Sequence, residues 1–133
     1  MLLRFPKGTQ YSTIDAAAFD LVATEFRTLP PGEFAVIHTG CFIESSHAYE
    51  CLLVLPRSGL AAKHGVTVLN SPGLIDSDYK NEIGVILINH GKEVFTVMPG
   101  MRIAQGFPTT CNKMKCIPVA TVERTGGFGS SGI

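Results

Sequence analysis

The chain has no surplus charge, no paired-cysteine motif, no apolar run long enough to span a bilayer and almost no helical pattern. Eleven lysines and arginines are balanced by eleven aspartates and glutamates. With the charges cancelled, no overall field draws the protein to nucleic acid or to an anionic membrane, and an anionic ligand must be caught by local groups. The longest apolar stretches are strand-sized, well short of the roughly 20 residues a membrane helix needs. The opening MLLRFPKGTQ lacks the apolar core and small-residue cleavage site of a secretory signal, so none is expected there. Cys41, Cys51, Cys111 and Cys116 form no CxxC pair, and the four histidines are scattered. A zinc site is therefore not expected, and reduced thiols in a cytoplasmic protein are the expectation. Internal repeats and domain linkers are also missing, and 133 residues suit a single domain with a real core.

What the chain does contain is many short, β-branched and aromatic runs. FDLVAT (19–24), EFAVI (33–37), CLLVL (51–55), GVTVL (65–69), IGVILI (83–88), EVFTVM (93–98), MRIAQ (101–105) and CIPVATV (116–122) read as strands. Turn signals separate them: Pro30-Pro31-Gly32, Pro72-Gly73, Asn89-His90-Gly91 and Pro99-Gly100. Short links favour antiparallel hairpins, and Pro118 makes the last run an edge or end strand. The expected fold is all-β, a jelly-roll-like antiparallel barrel with one short helical turn.

That turn is predicted in PRSGLAAKHG, with Ser58 as its N-cap and Gly65 as its end. A helix start leaves backbone N–H groups free for phosphate, and Arg57 adds a permanently charged partner. An ordinary strand-to-turn corner with a solvated arginine has the same composition. In Ser71-Pro72-Gly73-Leu74, proline and glycine fit the central positions of a type II turn. The amide of Asn70 before it can donate and accept together, to a planar base or equally to its own backbone. The segment GLIDSDYKNE (73–82) then sets carboxylates between two apolar runs. Strict alternation puts Leu74, Asp76 and Asp78 on one face, so Asp76 and Tyr79 share a site only if the strand bends. The terminal ERTGGFGSSGI reads either as a disordered tail or as a flap that closes over a ligand.

In this order the segments resemble the five motifs of the deoxyuridine triphosphate nucleotidohydrolases, the homotrimeric all-β dUTPase family. AAAFDL (16–21) is similar to the first, PRSGLA (56–61) to the second and GLIDSDYKNE to the third. MRIAQ contains the fourth, and GGFGSSG (126–132) is similar to the fifth. Each is weak alone; five in register are specific.

The resemblance implies hydrolysis of dUTP to dUMP and pyrophosphate with Mg²⁺, limiting uracil in DNA and supplying dUMP for dTMP synthesis. It implies that Asp76 is the catalytic base acting on the attacking water, held in aim by its hairpin. Tyr79 would pack on the deoxyribose, and Asn70 would read uracil. Gly73, Leu74 and Ile75 would wall the pocket, and Gly84 would offer backbone. Arg57, Ser58 and Gly59 would bind phosphates, and Gln105 would lie near the water and phosphates. Asp20 would hold the metal through a water, while Arg102 and Asp78 would be structural. Arg124, Phe128, Gly129 and Ser130 would close over the nucleotide. Residues 1–125 would form the β domain and 126–133 its glycine-rich lid. Each site of a homotrimer would draw on all three chains, with neither nucleic acid nor membrane as partner. The chain departs from the pattern at Ala18 and Asn81, where the family usually has glycine. Only Thr125 stands between Arg124 and GGFG, where two residues are usual. The alternatives are a dCTP deaminase of the same fold and a catalytically silent nucleotide-binding protein.

Overall fold

A computed structural model describes residues 1–6 and 9–120. Ten strands and one helix follow in chain order: β1 (Leu2–Arg4), β2 (Phe19–Val22), β3 (Arg27–Leu29), β4 (Phe34–Glu44), β5 (Glu50–Leu55), α1 (Ser58–His64), β6 (Val66–Val68), β7 (Gly73–Asp76), β8 (Ile83–Asn89), β9 (Phe95–Val97) and β10 (Arg102–Thr110). One four-stranded sheet runs β1-β4-β8-β6, a second runs β2-β10-β5-β7, and β3 and β9 form a two-stranded ribbon. Every pairing between strands is antiparallel. Side chains from all three sheets meet in one core, including Ile37, Val85 and Leu87 of the first, Leu21, Leu52 and Ile103 of the second, and Leu29 and Val97 of the ribbon. The all-β expectation holds, with a correction to its closure. The two larger sheets face one another as a jelly-roll-like sandwich with free edges, not as a hydrogen-bonded cylinder. Among the described residues no helix is long and apolar enough to cross a membrane.

Alternation explains the long strand β4. Ala35, Ile37, Thr39, Cys41 and Ile43 are buried while their neighbours face outward. The sequence reading stopped at Ile37, but the strand continues through an irregularity between His38 and Cys41, where Gly40 takes φ 68°. Strand β10 likewise runs past its expected end and through Pro108. It meets β2 only as far as Gly106↔Phe19, so the missing N–H of Pro108 removes no ladder bond on that side. Conversely, CIPVATV is not a strand over residues 116–120, and residues 121 and 122 lie outside the described ones. Met114, Ile117 and Val119 are exposed nearby, and no strand among the described residues pairs with the segment.

The helical turn appears where expected, but Arg57, not Ser58, is its N-cap, and no side chain caps it. Gly65 ends it in the left-handed conformation, φ 67°. The three proline–glycine pairs divide. Pro31-Gly32 and Pro99-Gly100 make type II turns, with Gly32 at φ 83° and Gly100 at φ 87° and i→i+3 bonds of 3.1 Å and 3.0 Å closing them. Ser71-Pro72 is cis, and Gly73 has no positive φ but opens β7. A Cβ there would come within 3.3 Å of Val54 Cβ, so this glycine answers a close approach between strands. No non-glycine residue among those described has positive φ, so neither Ala18 nor Asn81 is strained where the family usually has glycine.

Candidate active site

Two groups of expected site residues lie toward opposite edges of the second sheet, one around β2 and β10 and the other around β7. At the Leu55 end of β5, Gln105 of β10 pairs with Leu55 on one side and with Asp20 of β2 on the other. Asp20 is buried, and its carboxylate faces two cations: Arg57 Nε at 3.9 Å and Arg102 Nη1 at 3.8 Å. Arg57 Nη1 donates to the Arg102 carbonyl at 3.1 Å, and Gln105 Nε2 donates to the Pro56 carbonyl at 3.1 Å. These bonds lock the start of α1 against β10. Ser58 and Gly59 follow in its exposed first turn, where backbone N–H groups have no partner within the helix. A Cβ on Gly59 would meet nothing within 4 Å, so packing inside this chain does not require glycine there. The arrangement can bind a polyanion: arginine, open helix start and glycine side by side, steadied by a compensated carboxylate.

At the other end, Asp76 closes β7 opposite Cys51. The bend that a shared site requires is a β-turn, because the Tyr79 N–H donates to the Asp76 carbonyl at 3.1 Å. Tyr79 Oη in turn donates to the Glu82 carbonyl at 3.0 Å. Glu82 is itself fixed, accepting from the Gly40 N–H at 2.6 Å and meeting His38 Nδ1 at 2.8 Å. The sequence reading missed Glu82 and His38, whose contacts span 42 and 44 residues of chain. It also treated 73–82 as a hairpin. β7 instead pairs with β5 in the second sheet, whereas β8 pairs with β4 and β6 in the first. The parting of these two arms leaves a slot of about 50 Å³ lined by Asn70, Gly73, Leu74, Ile75 and Gly84, together with Val54 and Ile86. Among the described residues the Asn70 side chain makes no hydrogen bond, so its amide remains available to the slot. Gly84 is set by packing, since a Cβ would come within 2.6 Å of Val36 Cγ1.

Asp76, with Asn70, Gly73, Leu74, Ile75, Tyr79 and Gly84, thus forms one half-site; Asp20, Arg57, Ser58, Gly59 and Gln105 form another. One chain does not bring them together. From Cys51 to Leu55 is four residues along β5, and β2 and β7 are the two outer strands of the sheet. Strand rise and spacing therefore put Asp20 and Asp76 roughly 20 Å apart. Arg124, Phe128, Gly129 and Ser130 lie outside the described residues. Among those described, no three His, Cys, Asp or Glu side chains are grouped to hold a metal. A lone compensated carboxylate such as Asp20 suits a hard cation held through water better than one gripped directly.

A dUTPase family model matches residues 7–132. The chain is 46% identical over 126 residues to a deoxyuridine 5'-triphosphate nucleotidohydrolase from Wolinella succinogenes, covering 92% of this chain and 84% of that one. The fold is similar to a dUTPase from Streptococcus mutans, at TM-score 0.78 and 22% identity over 87% of this chain and 100% of that one. It is also similar to a mutant dUTPase from phage phi11 of S. aureus, a structure concerned with coordination of a structural Mg(II) ion; there the TM-score is 0.78 and the identity 18%, covering 92% of this chain and 98% of that one. On the family match over residues 7–132 and the 46% identity over 92% of its length, this chain belongs to the dUTPase family.

Proposed function

We propose that the protein hydrolyses dUTP to dUMP and pyrophosphate. The observation that carries this reading is the 46% identity to a dUTP nucleotidohydrolase across 92% of the chain. The two half-sites support it. In the proposed reaction Asp76 accepts a proton as water attacks the α-phosphorus. The new bond is water oxygen to phosphorus, and the bond that breaks joins that phosphorus to the oxygen bridging to the β-phosphate. An aimed base within hydrogen-bond reach is what such an in-line displacement needs. The slot beside Asn70 accepts uracil, Tyr79 packs on the sugar, and Arg57 with the first turn of α1 holds the phosphates. Gln105 orients the water–phosphate region from its place beside Asp20. Arg124, Phe128, Gly129 and Ser130 complete the enclosure.

The same proposal includes Mg²⁺ and a homotrimer. Asp20 would hold the ion through water, and the bound ion would neutralise charge on the phosphates. The separation of the half-sites supports a site completed by another copy. The sheet face between them is suited to be covered: Leu53, Leu55 and Phe107 are half-buried there, and Leu74 is 63% exposed. Pyrophosphate release from dUTP, dCTP, dTTP and UTP tests the proposal. Release from dUTP alone is expected. Ammonia from dCTP would indicate a deaminase, and turnover of none of them a silent binding protein.

A further inference from the structure

Beside Asp76 sits a pair of thiols for which the proposed hydrolysis has no use. Cys51, in β5, is opposite Asp76 on one side and Thr109 of β10 on the other. Cys111 lies two residues beyond Thr109, and its N–H donates to the Tyr49 carbonyl at 2.8 Å, continuing the register past the strand end. Side chains two apart share a face, so Cys111 is the diagonal neighbour of Cys51. Cys111 Sγ donates to the Ala48 carbonyl at 3.9 Å. Both thiols line a cavity of about 410 Å³, together with Asp76, Asp78 and Lys113. Cys51 is buried and Cys111 is partly open to solvent. The other cysteines differ. Cys41 is sealed in the core against Thr9 and Thr39, and Cys116 is exposed five residues beyond Cys111.

We propose that Cys51 and Cys111 are a redox site: a peroxide converts them to a reversible disulfide, and that bond disarms Asp76. The more accessible Cys111 reacts first. Its sulfur takes one oxygen of the peroxide as the O–O bond breaks, giving a sulfenic acid and releasing water or an alcohol. The Cys51 sulfur then attacks the Cys111 sulfur. An S–S bond forms, the S–O bond breaks, and hydroxide leaves as water with the Cys51 thiol proton. Two thiols are oxidised by two electrons in all, and one peroxide is reduced. Burial pushes the Cys51 thiol up, with the neighbouring Cys111 adding to it, which suits a resolving thiol and not the first attacker.

The effect on Asp76 follows from geometry. Diagonal neighbours in a sheet are roughly 7–8 Å apart. A disulfide asks for Cα atoms about 4.4–6.8 Å apart. Closing the bond draws the end of β10 toward β5 at the residue paired with Asp76, and narrows the cavity that Asp76 lines. β10 ends at Thr110 and no strand follows among the described residues, so its end is the part that yields.

The test treats the full-length reduced protein with a small excess of hydrogen peroxide, then blocks free thiols and maps the peptides. A Cys51–Cys111 link is expected, with free thiols halved from the four in the sequence and the mass lower by two hydrogens. Dithiothreitol should reverse it. Cys116→Ser should behave as wild type, whereas Cys51→Ala and Cys111→Ser, checked for unchanged melting when reduced, should form no such link. A Cys111–Cys116 link, or a sulfinic acid in place of a disulfide, overturns the proposal. The action on Asp76 rests on the proposed hydrolysis and is read separately. dUTP turnover should fall roughly 10–100-fold on oxidation, the scale of a small misplacement at a reacting centre, and return on reduction. A mapped link with unchanged turnover overturns the effect on Asp76. Absence of turnover in the reduced protein counts against the hydrolysis and leaves the peptide map to decide the disulfide.

Discussion

Asp20 and Asp76 sit on the two outer strands of the same sheet, level with opposite ends of β5, in opposite surroundings. Asp20 is buried, faces two guanidinium groups and is tied through its own N–H to the Gln10 carbonyl at 2.8 Å. Asp76 is exposed on an edge strand and makes no ion pair among the described residues. A compensated carboxylate is a fixed electrostatic element: its charge is used by the arginines and lost to chemistry. Asp76, aimed by a strand end and a β-turn, is exposed, with no cation among the described residues held against it. The difference supports the proposed division, with Asp20 as the anchor and Asp76 as the base.

Removing the base should have the largest effect. Asp76→Asn should cut dUTP turnover by roughly two to four powers of ten, the range of general base catalysis, while a non-hydrolysable analogue still binds. Near-normal turnover would take the catalytic role away from Asp76. The second test asks whether the two ends of β5 work across chains. Asp76→Asn and Arg57→Ala chains, each inactive alone, should regain activity when mixed and allowed to exchange subunits. A site that takes its Asp76 from one parent and its Arg57 from the other is intact, and random mixing of a symmetric assembly makes that about a quarter of the sites. No recovery, with exchange shown by mass spectrometry of tagged chains, would mean each chain completes its own site.

Much of this contrast was legible in the sequence, because motifs record chemistry: PRSGLA and GLIDSDY name the charged and glycine positions directly. Partners distant in the chain were not legible. Nothing local to Glu82 announces that it grips Gly40 and His38, and nothing in MRIAQ shows Arg102 facing Asp20. The Pro-Gly signal predicts the turns at Pro31-Gly32 and Pro99-Gly100. It fails at Pro72-Gly73 because strand pairing with Val54, not turn geometry, decides the backbone there. Asn89 likewise reads as a turn residue. It is instead fully buried at the end of β8, donating to the Leu29 and Glu93 carbonyls and accepting from the Gly91 N–H, each at 2.8 Å. Strands β1 and β3, three residues each, lack the β-branched and aromatic runs that mark the equally short β6 and β9.

Two glycines at the Arg57 end sharpen the contrast between packing and function. Gly106 opposes Phe19, and a Cβ there would come within 2.3 Å of that buried ring. Gly106→Ala should therefore destabilise the fold by about 1–3 kcal/mol, as overpacking does. Gly59 faces open space, so Gly59→Ala should leave melting unchanged or raise it slightly, since alanine favours helix by about 1 kcal/mol. Its cost should appear as weaker binding of dUTP analogues than of dUMP. Equal melting losses in both variants would show that Gly59 also serves packing.

The smallest expected effect concerns the support behind the Asp76 end. His38 hydrogen-bonds Glu82, and that contact, then the charges of Glu82 and Glu25, raise its pKa above the ordinary 6.5, with desolvation and Arg27 acting the other way. A histidine raised on folding stabilises the native state fully below its unfolded pKa, and the contribution is lost as pH climbs through the folded value. The protein should thus melt slightly higher at pH 6 than at pH 8, with the decline beginning near the ordinary pKa. His38 is exposed, so solvent screens the pair and the decline is shallow. His38→Gln keeps a hydrogen-bond donor for Glu82 without the titrating charge and should flatten this part of the profile. Since the Glu82 carbonyl holds the Tyr79 hydroxyl, the variant should also remove any matching pH dependence in the KM for dUTP while leaving kcat near normal. An unchanged slope in the variant would move the effect to other groups and leave His38 as a bystander to the Asp76 end.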